Sequence, residues 1–268
     1  MNKKIKKVEV DGQTLVLSDC IRYMKTLPDA SVNMIVTSPP YNLGIKYNSY
    51  DDKNPREKYL EWMGTILQEV KRILIPEGSL FLNMGGSCAD PWVPLEVAME
   101  ARKYLVLQNR ISWVKSISIG ENSFGHFKPI NSERYLNNNF EEIFHFTPTG
   151  KTYIDRLSIG VPYTHKSNIN RWNGKKDIRC AGNVWFIPYE TINSRELDRG
   201  DHPATFPVEL VTRCIKLHGI TDGMVVMDPF LGSGSTLIAT KKLGISGVGI
   251  ELDDKYLKYA MERINNHD

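Results

Sequence analysis

Residues 224–251 restrict the fold more than any other stretch of the chain. "MVVMD" (224–228) reads as a buried strand and "PFLGSGST" (229–236) as a glycine turn. "STLIATKKLG" (235–244) follows as a helix, and "SGVGIE" (246–251) as a second strand ending on Glu251. Strands alternating with helices imply parallel βαβ units. The same alternation recurs near the start, where "QTLVLSD" (13–19) and "SVNMIVTS" (31–38) read as strands around a short helix "IRYMKTL". Tyr59, Trp62, Met63, Ile66, Leu67, Val70, Ile73 and Leu74 mark one face of a helix. Asn54 is expected to cap that helix, with Pro55 at its first position. "PEG" (76–78) should break it before the strand "SLFLNM". Further helices are expected near 92–102, over 207–219 with Gly219 as terminator, and over 253–265.

Between 116 and 200 the pattern dissolves into asparagines, glycines, aromatics and basic residues. The expected organisation is therefore an α/β core made of residues 1–115 and 201–268. Residues 116–200 form an irregular insertion carried by that core.

The glycine turn admits three readings. A phosphate-binding loop needs Lys after the last glycine, and Ser235 stands there. A dinucleotide fingerprint needs GxGxxG, but Gly232-Ser233-Gly234 is followed by Ser-Thr-Leu. The third reading is a tight turn that binds nothing. Glu251 sharpens the choice, because an acid at the end of the next strand is placed to accept hydrogen bonds from ribose hydroxyls. A nucleoside without phosphate suits the site. S-adenosylmethionine (SAM) has a ribose and an adenine and no phosphate.

Composition excludes several other classes. Apolar residues make up 41% and charged residues 24%, the balance of a globular protein, and no run approaches a membrane span. The opening "MNKKIKKVEV" is basic but has no apolar signal segment, so the expected location is the cytoplasm. The four cysteines are widely spaced and no HxxxH pair occurs, so neither a disulfide framework nor a structural metal is expected. The net charge is only +3, yet residues 151–200 hold nine Lys/Arg against five Asp/Glu. Lys166, Arg171, Lys175, Lys176 and Arg179 cluster there around Trp172. A solvated face is one reading of such a run, and a nucleic-acid contact surface is the other.

A second feature sits where "VNMIV" runs into Ser38-Pro39-Pro40-Tyr41. Proline lacks an amide hydrogen and cannot extend a sheet, so the strand must end at Thr37 or Ser38.

Together, "TSPPYN", "DPFLGSGST" and "GIE" resemble the amino-group DNA methyltransferases, which methylate adenine N6 or cytosine N4. With the catalytic tetrapeptide first and the SAM turn near the C-terminus, the permuted order is similar to their β class. "LSDCIRYMKTLPDASVNMIVTSPPYN" resembles the family's opening block, "VKRILIPEGSLFLNMG" its next helix-strand unit, and "HPATFPVEL" the segment beside the SAM methionine. The resemblance implies a Rossmann-like fold with a mostly parallel twisted sheet and helices on both faces. It places the target-recognition region at 116–200.

For the site, the resemblance implies that Ser38 and the Pro39 carbonyl accept the hydrogens of the target amine. Pro40 stiffens the turn, and Tyr41 stacks on a base flipped out of double-stranded DNA. SAM is expected against Asp19, Cys20, His202, Pro203, Thr205, Asp228, Pro229, Phe230, Gly232, Ser233, Gly234, Ser235, Thr236, Glu251 and Leu252. Asp19 also reads as a simple helix cap. Ser at the head of the tetrapeptide accompanies cytosine-N4 enzymes, whereas Asp or Asn accompanies adenine-N6 enzymes. Cytosine N4 is therefore the expected target and adenine N6 the alternative. An RNA or small-molecule methyltransferase and a non-catalytic nucleotide-binding protein are further alternatives. The resemblance leaves open a cognate restriction endonuclease and a homodimer.

Overall fold

The computed structural model describes residues 5–125, 127, 130–171, 175–188 and 205–267. Trp172, His202 and Pro203 lie outside the described residues. The strands are β1 (Lys6–Val10), β2 (Gln13–Leu17), β3 (Val32–Thr37), β4 (Leu74–Met84), β5 (Val106–Val114), β6 (Ser116–Ile119), β7 (Asn122–Gly125), β8 (Phe140–Thr147), β9 (Val184–Phe186), β10 (Val225–Asp228) and β11 (Ser246–Glu251). The helices are α1 (Cys20–Met24), α2 (Arg56–Ile73), α3 (Val93–Ala101), α4 (Val208–His218), α5 (Ser235–Lys242) and α6 (Asp254–Asn266).

Among the described residues, nine strands form one sheet in the order β1-β2-β11-β10-β3-β4-β8-β5-β9, and β6-β7 is a separate hairpin. From β2 to β4 every pairing is parallel, while β1 and β8 run antiparallel to their neighbours. The strand period of two divides the core between the faces. Ile35, Leu80, Leu82 and Phe144 pack with α1, α2 and α3. Met34, Val36, Phe81 and Ile143 pack with α4 on the opposite face. Helices α5 and α6 close over Val10 and Leu15 at the β1-β2 end. Among the described residues, no helix is long and apolar enough to cross a membrane.

Three local expectations change. Helix α2 is preceded by Pro55 with no side-chain cap, and Asn54 instead bonds Asn42 and the Asp51 carbonyl. Pro76-Glu77-Gly78 does not separate helix from strand, because β4 starts at Leu74 immediately after α2. The tripeptide lies where the β3-β4 register shifts between Val32 and Met34, and that irregularity accommodates the proline.

The third change concerns the insertion. Residues 140–147 form β8, which lies inside the main sheet between β4 and β5, and β9 pairs beside β5. The 116–200 segment is thus not wholly outside the core. Adjacent acids in "FEEIFHFT" mask the strand pattern. Glu142 is neutralised across the pair by Arg110, whose Nε and terminal nitrogen donate at 2.8 and 2.6 Å. Glu141 points into the site described next.

Candidate active site

Because β2, β11, β10, β3 and β4 are parallel, their C-terminal ends gather at one edge of the sheet, where α/β proteins bind ligands. A cavity of about 250 Å³ opens there. Its wall takes Asp19 and Cys20 after β2, Ser38, Pro39, Pro40 and Tyr41 after β3, and Pro229, Phe230, Gly232, Ser233 and Ser235 after β10. Glu251 and Leu252 close β11's end, and Thr205 enters from the segment before α4. Strands β3 and β10 are neighbours, with Met34 opposite Val226, which brings the two distant motifs together.

Asp228, Gly234 and Thr236 do not line the cavity; they build the turn below it. Asp228 is wholly buried and accepts from the Thr37 and Thr236 hydroxyls at 2.7 and 2.6 Å and from the Phe230 N–H at 3.0 Å. Burial pushes its carboxyl up to about 6 against the pull of those bonds. Gly234 has φ +87°, and a Cβ there would also meet Ala260 at 3.1 Å.

The turn's amides decide between the ligand classes. Phe230 N–H bonds Asp228, Leu231 N–H bonds the Ile250 carbonyl, Gly232 N–H bonds Glu251 Oε2, and Gly234 N–H bonds the Leu231 carbonyl. A phosphate cradle needs such amides free. The Glu251 carboxylate, 2.9 Å from Gly232 N, would moreover repel a phosphate. Leu252 and Asp253 N–H groups hold its other oxygen at 2.8 and 2.9 Å. Burial pushes Glu251 up to about 7. Asp19 accepts from Arg22 N–H as the α1 cap, and its exposed carboxylate also faces the cavity. Burial raises the Cys20 thiol, which leaves it an inert neutral wall group.

An aromatic side completes this half. Tyr50 stacks on Trp62 at 5.3 Å, and Trp62 meets Phe230 edge-on at 5.7 Å. The buried Asp52 carboxylate folds the loop that carries Tyr47 and Tyr50, accepting from Asn42, Leu43 and Ile45 N–H groups. Ser49 ties the loop to Asp253 at 2.5 Å.

The other half centres on Ser38. Its Oγ lies 2.7 Å from Tyr41 Oη, which donates to Glu141 Oε2 at 3.0 Å. Asn83 Nδ2 donates to Tyr41 Oη at 2.8 Å and to Glu141 Oε2 at 2.6 Å. Lys115 Nζ pairs with Glu141 Oε1 at 3.0 Å. Tyr59 Oη donates to the Pro40 carbonyl at 2.8 Å, which steadies the proline turn. Asn83, Trp113 and Glu141 line this half of the cavity, and sequence reasoning missed them together with Lys115 and the aromatic side. The pair of acids in "FEEIF" was a visible signal, since adjacent acids in an apolar strand need partners.

The basic run lies elsewhere. Arg171, Lys175, Lys176 and Arg179 are exposed, and Lys166 is engaged by Asp177 at 2.6 Å. None of them lines the cavity.

The chain is similar to known proteins. Residues 32–262 match the family model N6_N4_Mtase, described as DNA methylase. The Type II methyltransferase M.HpaI of Haemophilus parainfluenzae is 29% identical over 95% of this chain and 74% of its own length. The DNA adenine methyltransferase YhdJ of Escherichia coli is 26% identical over 95% of this chain and 83% of its own. TTHA0409 of Thermus thermophilus is 25% identical with a TM-score of 0.66 over 94% of both chains, and it has also been solved with SAM. The cytosine-N4-specific PvuII DNA methyltransferase, 16% identical, superposes with a TM-score of 0.69 over 96% of this chain and 94% of that one. The chain belongs to the N6/N4 DNA methylase family.

Proposed function

We propose that this protein is a SAM-dependent methyltransferase acting on an exocyclic amine of duplex DNA, with cytosine N4 as the target. One observation carries the reading: a single cavity is lined both by Ser38-Pro39-Pro40-Tyr41 and by the turn with Glu251. The residues fit SAM. Glu251 and Asp19 are acceptors for ribose and adenine donors, four amides of the turn are already bonded within the protein, and aromatic rings suit a sulfonium cation. When bound, SAM supplies an electrophilic methyl group.

The chain's own residues prepare the amine. Conjugation withdraws the nitrogen lone pair into the base ring, which makes the amine a poor nucleophile. Acceptors on both of its hydrogens, Ser38 Oγ and the Pro39 carbonyl, favour the pyramidal nitrogen that can attack. Tyr41 is the stacking platform for the flipped base. Catalysis by this route is positioning and charge stabilisation.

Ser38 at the head of the tetrapeptide supports cytosine, while an adenine methyltransferase matches the chain in sequence and a cytosine-N4-specific one matches it in fold. Nucleoside mass spectrometry of DNA methylated in vitro tests the assignment. N4-methylcytosine is expected, and a digest containing N6-methyladenine alone overturns the cytosine reading.

Two consequences are measurable in binding. Glu251→Ala should weaken SAM by about 1.5–3 kcal/mol through the missing charge-assisted hydrogen bonds. Ribose hydroxyls favour the ionised carboxylate, and burial holds the free group up near 7. Below that pH, binding must expel a proton, so SAM affinity should fall as pH drops through about 7 in the wild type and not in Glu251→Gln. Calorimetry of the folded variants checks both, and unchanged Glu251→Ala affinity removes this residue from the site.

The exposed Arg171, Lys175, Lys176 and Arg179 suit DNA phosphates. Replacing all four by glutamine should flatten the plot of log affinity against log salt, by up to about 0.9 for each phosphate no longer neutralised. Fluorescence anisotropy at several salt concentrations measures it, and an unchanged slope makes the run a solvated surface.

A further inference from the structure

We infer that Ser38, Tyr41 and Glu141 form a proton relay that carries the proton released by methylation from the base to a second cavity. The inference rests on the methyltransferase reading and deepens it. Its direction follows from the donor inventory around Tyr41 Oη. Asn83 Nδ2 can only donate, and its 2.6 Å contact to Glu141 Oε2 fixes which end of the amide faces inward. A carboxylate can only accept, so the single Tyr41 proton goes to Glu141. Ser38 must then donate to Tyr41 Oη at 2.7 Å, which leaves the Ser38 oxygen an acceptor toward the base. Lys115 holds the far carboxylate oxygen and keeps Glu141 in place.

The balance closes over one turnover. The amine nitrogen bonds the methyl carbon as the carbon–sulfur bond breaks, and that bond's electron pair stays on sulfur. The nitrogen now carries a positive charge, and its proton is far more acidic than a carboxylic acid. It passes to Ser38 Oγ as the Ser38 proton moves to Tyr41 Oη and the Tyr41 proton moves to Glu141 Oε2. The products are a neutral methylated base, a neutral thioether and protonated Glu141. Glu141 also lines the second cavity, of about 310 Å³, together with Arg110, Asn138 and Glu142. The proton leaves to solvent there without crossing the base or the methyl donor.

Glu141 acts through Tyr41 and is a positioning residue, so its test needs more than a rate. Single-turnover methylation by the wild type should show a normal solvent isotope effect in D2O. Glu141→Gln should slow the step about 10²-fold and abolish that effect. DNA and SAM affinities, read by anisotropy and calorimetry, should stay within about twofold. Tyr41→Phe keeps the ring, breaks the chain at its middle oxygen, and should abolish the isotope effect too. It serves as the deciding variant if Glu141→Gln fails to fold. Either variant keeping the wild-type isotope effect, or Glu141→Gln keeping the wild-type rate, overturns the relay alone. A wild type that methylates no DNA overturns the relay and the methyltransferase reading together.

Discussion

Replacing Ser38 by alanine should lower the single-turnover rate of methyl transfer by about 10²- to 10³-fold, with SAM affinity unchanged. The size follows from the proposed role of Ser38 as a preorganised polar group at the reacting amine, a loss of about 2.7–4 kcal/mol. The hydroxyl is held by Tyr41 and not by the cofactor half of the cavity, so SAM binding should not respond. The fold should not respond either, because Ser38 is half-buried at a strand end and its removal leaves Tyr41 still bonded to Asn83 and Glu141. Quench-flow with excess enzyme reads the chemical step, and calorimetry reads SAM. An alanine variant within about threefold of the wild-type rate would take Ser38 out of the reaction.

What was legible in advance follows from the range of the physics involved. The glycine turn, the Asp19 cap and the stop at Ser38 are set by residues within a few positions, so the sequence displays them directly. Which face each strand buries is local too, since Met34 and Ile35 alternate between opposite sides of the sheet. By contrast, β8 hid behind two adjacent acids, each explained only by a partner outside that strand. Glu142 needs Arg110, and Glu141 needs Lys115, Asn83 and Tyr41, which converge only when β4, β5 and β8 pair. No sequence period reports such a convergence. The ligand class of the turn was read from Glu251 and the absent lysine, and the traced amides add bonds that no sequence displays. A free nest and a filled one share the same glycines, and only the bonds to Ile250 and Glu251 separate them.

The largest stability effect is expected at Asp228, which joins the two halves of the site. Its carboxylate bonds Thr37, the last residue before Ser38, and Thr236 in the first turn of α5. Asp228→Ala leaves two buried hydroxyls and the Phe230 N–H without their acceptor, and should cost about 3–5 kcal/mol. Asp228→Asn keeps the volume and an acceptor oxygen, and should cost much less. The pH dependence separates charge from shape. The folded carboxyl sits at about 6, above the unfolded value of 3.8, so the folded state holds an extra proton between them. That contribution is full below the unfolded value and is lost as pH rises through about 6, by roughly 3 kcal/mol. Other groups add their own slopes, but only the Asp228 share should disappear in Asp228→Asn. Urea unfolding of the wild type and both variants at pH 5 and pH 8 measures the difference, and the part of the Asp228 share lost between those two pH values is about 1.4 kcal/mol. An alanine variant within about 1 kcal/mol of the wild type would show that the turn stands without this carboxylate. Because Thr37 adjoins Ser38, Asp228→Ala should also slow methyl transfer, whereas Asp228→Asn should largely spare it.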